Sequence, residues 1–239
     1  MEQKDFVNVY SAKEQSTSLA FAKLMKNVYF WMTLALAATG LTAAYVASDL
    51  SLMGKIMGNG AIFWGLIIAE LVIVMVLSAR VMKMSFATAG IMFALYSVLN
   101  GVTLSFIFLT YTATSIATTF FVTAGTFGAM TIVGYCVKKD LSAMGRFLIM
   151  ALIGLIIATV VNMFLASETF MWAITYIGVL IFVGLTAYDT QQIKQMMLQY
   201  GTEVNESTMK LALMGSLTLY LDFINLFLYL SRIFGNRNN

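Results

Sequence analysis

The sequence predicts an all-α polytopic membrane protein, and three observations carry that prediction. The chain of 239 residues is 60% hydrophobic and only 10% charged, where a soluble domain carries about 25% charged residues. Its mean hydropathy is +0.86, more apolar surface than a water-soluble fold can hide. The apolar residues gather into seven runs, each near the roughly 20 helical residues that span about 30 Å of hydrocarbon.

Residues 1–22 are polar, with Lys4, Asp5, Lys13 and Glu14, and read as a cytoplasmic N-terminal tail. They contain no apolar h-region, so no cleavable secretory signal is expected and the first span serves as its own insertion signal. The seven spans run Leu24–Ala47, Ala61–Ala79, Phe86–Tyr111, Ala113–Val137, Phe147–Ala166, Phe170–Tyr188 and Met209–Ile233. They form one transmembrane domain over residues 23–233, followed by a short C-terminal tail at 234–239. The third and fourth spans meet at Tyr111–Ser115 almost without a loop, which predicts a tight helical hairpin. Gly125, Gly128, Gly134, Gly178 and Gly184 are small enough to let helices approach closely. No repeat with a period of 20–50 residues is present.

Lysine and arginine set the orientation. With the N-terminus in the cytoplasm, Lys4, Lys13, Lys23, Lys26, Arg80, Lys83, Lys138, Lys139, Arg146, Lys194 and Lys210 lie inside, against Lys55, Arg232 and Arg237 outside. Eleven against three favours an inward N-terminus. Seven spans then strand Arg232 and Arg237 on the outer side, and six would not, but the full length of the last run favours seven.

Several chemistries are excluded by composition. There is no histidine, which removes Ser-His and Cys-His catalysis, imidazole metal sites and the usual proton shuttle. The lone Cys136 sits in an apolar run, cannot form an intrachain disulfide, and is read as packing. With no proline, a broken helix must rely on glycine or serine. The net charge of +3 is scattered without a basic stripe, so nucleic acid is not expected as a partner. No cofactor is implied.

Asp222 is the most informative residue. It lies in the apolar run Leu211 to Phe234, and Asp189 closes the run before it. An ionisable residue at membrane depth costs about 2.5–3.5 kcal/mol on translocon scales and marks a functional site by default. Around Asp222, the polar or small residues Gly215, Thr218, Asn225, Tyr229 and Arg232 recur at alternating spacings of three and four, so all six share one helix face. Such a stripe faces a wet cavity or a partner helix. Interhelical hydrogen bonding at about 0.6 kcal/mol per contact would explain Thr218 and Asn225. It does not explain a carboxylate, which needs a proton or a cation beside it.

The midpoint between Asp189 and Asp222 falls at Asn205–Glu206, inside the polar turn Gly201–Ser207. Residues equidistant from a hairpin apex sit at similar heights if both arms are helical. Ile193, Met196, Met197 and Tyr200 allow the sixth helix to continue past its apolar run. The two carboxyls are therefore expected to face each other and titrate as a unit, because like charges so close cannot both ionise cheaply. With both ionised they repel and attract a hard cation such as calcium, in transient coordination by Asp189 and Asp222. With one proton shared they hold the helices together. Glu70, mid-way along the second span, needs a proton or a cation such as Arg232, while Arg80 at its inner end reads as a snorkelling anchor.

These residues resemble the Bax inhibitor-1 family, the transmembrane Bax-inhibitor-motif proteins, in its bacterial branch. The resemblance covers about 23–232 and rests on the polar tail with seven apolar runs, FALYSVLNGVTLSFIF in the third span, GLTAYDT at Gly184–Thr190, and the closing LYLDFINLFLYLSRIFG. It implies six helices wrapped around a central seventh, in a bacterial inner membrane. It also implies a pH-sensitive calcium leak with Asp189 and Asp222 as the sensor, engaged by Arg80, and a second acid–base pair of Glu70 with Arg232. Thr218, Asn225 and Tyr229 would line the pore or seam. The partners so implied are the lipid bilayer, calcium and protons. The chain departs from the family pattern where many relatives carry proline near the end of the third span, here Ser105-Phe106, and in the length of the turn between the aspartates.

Three other readings compete with the leak. Two intramembrane aspartates could form a protease dyad, and Tyr188-Asp189 resembles the Tyr-Asp of presenilin-like proteases. Leu219-Tyr220-Leu221 precedes Asp222 where those enzymes carry Gly-x-Gly, and their Pro-Ala-Leu segment is impossible without proline, so no enzymatic activity is expected. A non-transporting regulator that binds a membrane protease or stress-response complex is compatible with the family. A proton-coupled transporter would show an inverted repeat, and none is found.

Overall fold

The last helix of the chain forms the axis around which the others are arranged. A computed structural model describes residues 2–200 and 203–236, with backbone alone for residues 2–18 and 57. Arg237 and Gly201, which bear on the orientation and the turn, lie outside the described residues, as do the side chains of residues 1–18 in the N-terminal tail.

The described chain consists of α1 (Glu2–Ser48), α2 (Leu50–Gly58), α3 (Gly60–Arg80), a 3₁₀ turn (Val81–Lys83), α4 (Phe86–Leu104), α5 (Ile107–Thr110), α6 (Ala113–Cys136), α7 (Ser142–Leu165), α8 (Glu168–Tyr200) and α9 (Glu206–Phe234). Seven of these carry a stretch long and apolar enough to cross a membrane, the last among them. α9 has 29 residues, a length of about 43 Å at 1.5 Å per residue.

Local chemistry sets the helix starts. Asp49, Asn59, Ser85 and Thr112 cap α2, α3, α4 and α6 by accepting backbone N–H groups of the first turn. Asn205 and Thr208 form a reciprocal capping box at the start of α9. At the other end of α7, Ala166 takes the left-handed conformation at φ 48°, and Ser167 N–H donates to Asn162 Oδ1 at 3.2 Å. The short α2, which the hydropathy pattern does not single out, covers the connection between the first two spans.

The third span is not continuous. It breaks at Ser105–Phe106, between α4 and α5, where Ser105 Oγ donates to Val102 O at 2.6 Å and competes with the helix ladder. A serine thus makes the interruption in a chain without proline. The short link expected at Tyr111–Ser115 is present, with Tyr111 and Thr112 non-helical, but the two spans form no packed hairpin, because α6 lies on α8 and α9 rather than on α4.

α9 packs against α8, α1, α6 and α4, and Leu213, Leu219, Tyr220 and Leu226 on it are fully buried. By contrast α3 packs mainly on α4, and α7 mainly on α8, with their outer faces exposed through Ile68, Leu71, Ile153 and Ile157. In a membrane those faces meet lipid. Close approach relies on some of the expected glycines: a Cβ on Gly134 would run into the backbone of Ala187, and one on Gly178 into the ring of Tyr229. Gly125 and Gly128 face open space instead and pack no helix. Cys136, expected to be packed, is exposed because it occupies the last turn of α6.

At the end of the molecule where α9 begins, Lys210 binds the connection between α3 and α4. Its Nζ donates to Met84 O at 3.0 Å and Met82 O at 3.4 Å, and Glu206 Oε1 accepts from Phe86 N at 3.1 Å. Gln191 does the same for the α6–α7 link, accepting from Leu141 N at 2.8 Å and donating to Lys139 O at 2.9 Å. The two clamps tie the middle of α8, two residues past Asp189, and the start of α9 to these connections.

Candidate functional site

α8 continues as one helix through the GLTAYDT segment, and its threonines satisfy their hydroxyls on the helix itself. Thr186 Oγ1 donates to Phe182 O and Thr190 Oγ1 to Thr186 O, each at 2.7 Å. This carries Asp189 to the face of α8 that meets α9, and Gly134 lets α6 close over the opposite side at Ala187. On α9, the capping box sets the helix start and places Asp222 across from Asp189.

The structure brings the two carboxyls together within hydrogen-bonding reach. A hydrogen bond between two carboxyl groups needs one proton between them, since an ionised carboxylate only accepts. Asp222 is 4% exposed, and its Oδ2 finds no hydrogen-bond partner. Asp189 is partly buried. Among the described residues no lysine or arginine pairs with either acid, and no cluster of three metal-ligating side chains forms around them.

Both acids open onto a cavity of about 400 Å³ between α7, α8 and α9. Ile149, Leu152 and Ile156 of α7 form one wall, and Phe182 and Leu185 of α8 another. α9 contributes Thr218, Leu221, Asn225 and Tyr229, so three of the predicted seam residues share the cavity with the acids. Thr218 and Asn225 direct their donors to their own helix, at Met214 O (3.2 Å) and Leu221 O (2.8 Å). Neither therefore satisfies Asp222 Oδ2. Gly215, lower on the seam, is covered by Ile193 of α8.

The remaining predicted residues lie elsewhere. Arg80 is exposed at the last turn of α3, and that helix packs on α4 rather than on α8. The engagement of the acid pair by Arg80, implied by the family resemblance, is not formed in this structure. Nor is the pairing of Glu70 with Arg232. Arg232 is ten residues beyond Asp222, about 15 Å further along α9. Its guanidinium sits 5.7 Å from the Tyr229 ring centre and lines a separate cavity of about 680 Å³ with Glu168 and Trp172.

Glu70 instead accepts from Thr103 Oγ1 and from Asn100 Nδ2, the latter at 3.3 Å. Asn100 Oδ1 in turn accepts from the Tyr220 hydroxyl at 3.1 Å, and Tyr220 shares a 2.7 Å hydrogen bond with Thr39 Oγ1. This chain ties α3, α4, α9 and α1 together, and Phe93 and Tyr96 stack edge-on against the Tyr220 ring. The periodicity of α9 conceals it, because Tyr220 shares its face with Leu213, Leu217, Phe223, Ile224 and Phe227 and reads as one more apolar position. The usable sequence signal is Asn100 and Thr103 in an apolar span opposite a membrane-depth glutamate.

The chain is similar to known proteins over most of its length. Residues 22–239 match the family model described as inhibitor of apoptosis-promoting Bax1. The chain is 54% identical to "Inner membrane protein YbhL" of Escherichia coli (strain K12), over 89% of this chain and 91% of that protein. It is 43% identical to an uncharacterized protein of Borreliella burgdorferi, over 95% of this chain and 97% of the relative. A Rickettsia prowazekii protein, RP147, is 42% identical over 96% of each chain.

Proposed function

This chain belongs to the Bax inhibitor-1 family, and we propose that it works as a pH-sensitive, calcium-permeable leak gated by the proton that Asp189 and Asp222 share. The observation that carries the reading is the acid pair itself, on two helices long and apolar enough to cross a membrane, with one buried oxygen left without a donor and, among the described residues, no basic side chain paired with it.

With one proton between them, the two carboxyls hydrogen-bond and hold α8 to α9. Once the proton is lost, both are negative and repel across the helix interface, and each offers two oxygens to a hard cation. Two carboxylates supply at most about four of the 6–8 oxygens that calcium takes, so the ion retains water and is held briefly. Brief binding suits passage better than storage. Asn225 and Tyr229 extend the polar seam one and two turns beyond Asp222, marking the direction in which the ion leaves. Calcium is the permeant ion in this reading, protons are the regulator, and no resident cofactor takes part.

The pair acts as a gate rather than a hydrolytic dyad in this reading, because Leu219-Tyr220-Leu221 precedes Asp222 where presenilin-like enzymes carry Gly-x-Gly. The N-terminus faces the cytoplasm, as the lysine and arginine distribution favours, and the name of the Escherichia coli relative supports an inner-membrane location.

Calcium flux into proteoliposomes across a pH series tests the proposal. Wild-type flux rises with pH, and Asp189→Asn and Asp222→Asn each abolish that dependence, since a neutral amide in place of either acid removes the shared proton. Unchanged pH-dependent flux in both variants would sink the gate.

A further inference from the structure

The cavity that holds the acids is bounded by α7 on one side, yet α7 packs on α8 and leaves its join with α9 as a cleft. Two of its lining residues, Ile149 and Ile156, are 45% and 56% exposed. They belong to a helix long and apolar enough to cross the membrane, so the medium they face is the hydrocarbon of the bilayer. The cleft is therefore a lateral window: apolar at its rim, acidic at its floor. Asp189 and Asp222 both line its floor, Asp222 carrying a buried oxygen without a partner, and no basic side chain among the described residues neutralises the pair.

The geometry points to a binding site for a lipophilic amine, an apolar chain bearing one protonated nitrogen, that enters from the bilayer between α7 and α9. The ammonium would lie against the carboxyls of Asp189 and Asp222 that line the floor, supplying the opposite charge. Its chain would fill the groove between Ile149, Leu152, Ile156 and Leu221. At about 400 Å³ the cavity falls within the roughly 300–1,000 Å³ of small-ligand pockets. A hydrated metal ion makes no use of those apolar walls, and a neutral lipid chain makes none of the acids. Only an amphiphilic cation uses both. Bound there, it would occupy the exit of the acid pair and block the leak, a consequence that rests on the proposed function; the binding itself does not.

The test is equilibrium binding of radiolabelled decylamine to the full-length protein in nanodiscs, beside decanol, its neutral analogue. The wild type should bind decylamine saturably, and decanol about thirtyfold more weakly. Asp222→Asn and Asp189→Asn should lose a comparable factor. Ile156→Trp, which narrows the exposed rim and leaves both acids in place, should also weaken binding while preserving thermal stability. Equal binding of decylamine and decanol by the wild type, or decylamine binding that survives in Asp222→Asn and in Ile156→Trp, would overturn the proposal. Because this readout needs no flux, a protein that binds the amine but leaks no calcium fails the proposed function alone. One that leaks with the expected pH dependence but binds no amine fails this inference alone.

Discussion

Tyr220→Phe removes one oxygen from the centre of the bundle and leaves the ring in place. That oxygen bonds Thr39 of α1 at 2.7 Å and Asn100 of α4 at 3.1 Å, on a side chain that is 0% exposed. Interhelical hydrogen bonds in membrane proteins average about 0.6 kcal/mol, with a maximum near 1.7. Leaving a buried acceptor such as Asn100 Oδ1 without its donor costs about 1–3 kcal/mol. The two bonds together therefore predict a loss of about 1–3 kcal/mol, with the packing of Phe93 and Tyr96 on the ring conserved. Unfolding free energies in bicelles measure it, and a double-mutant cycle with Thr39→Val isolates the α1–α9 bond. The cycle should return a coupling of about 0.6 kcal/mol. A Tyr220→Phe loss within about 0.3 kcal/mol of zero, together with additive single mutants, would refute the assignment of this chain as the brace of the central helix.

Two further outcomes follow from other parts of the fold. Gly134→Leu drives a side chain into the Ala187 backbone, two residues from Asp189, and should lower thermal stability by about 1–3 kcal/mol, while Gly125→Leu, in open space, should change little. Asp140, between α6 and α7, accepts from Ser142 Oγ at 2.7 Å and from Ser142 N at 2.9 Å, and these bonds hold its carboxyl below the usual carboxylate range. A carboxyl bound more weakly to its proton when folded stabilises the protein above its unfolded value of about 3.9, and the contribution is lost as pH falls through the lower folded value. The difference in melting temperature between wild type and Asp140→Ala should thus be present at neutral pH and close on acidification; a constant difference would contradict a stabilising role for the Ser142 bonds.

Much of this was legible in the sequence because membrane proteins obey strong local constraints. Seven apolar runs of spanning length leave helices as the fold, and a carboxylate in one of them has few bland explanations. The meeting of Asp189 with Asp222 could be read from their equal distance to the polar turn, since a hairpin of two helices fixes relative height. The seam through Thr218, Asn225 and Tyr229 followed from helical periodicity, and all three line the cavity.

What periodicity could not supply was which helices touch. Arg80 and Glu70 lie on α3, a peripheral helix packed on α4, so their partners depend on bundle order rather than on spacing. Glu70 found a neutral Asn–Thr pair instead of Arg232, and the network reaching Tyr220 was hidden in an apolar face. The lateral window depended on the same missing knowledge, because it exists only where α7 fails to close on α9.

The central claim is that a proton and a calcium ion compete for Asp189 and Asp222, and proton release on calcium binding tests it most directly. Metal ligands must lose their protons to bind. Calcium added to purified protein in weakly buffered, mildly acidic solution should therefore release protons, approaching one per chain for the proton the pair shares, and Asp222→Asn should release none. No release from the wild type at saturating calcium, or the same release from Asp222→Asn, would contradict the account.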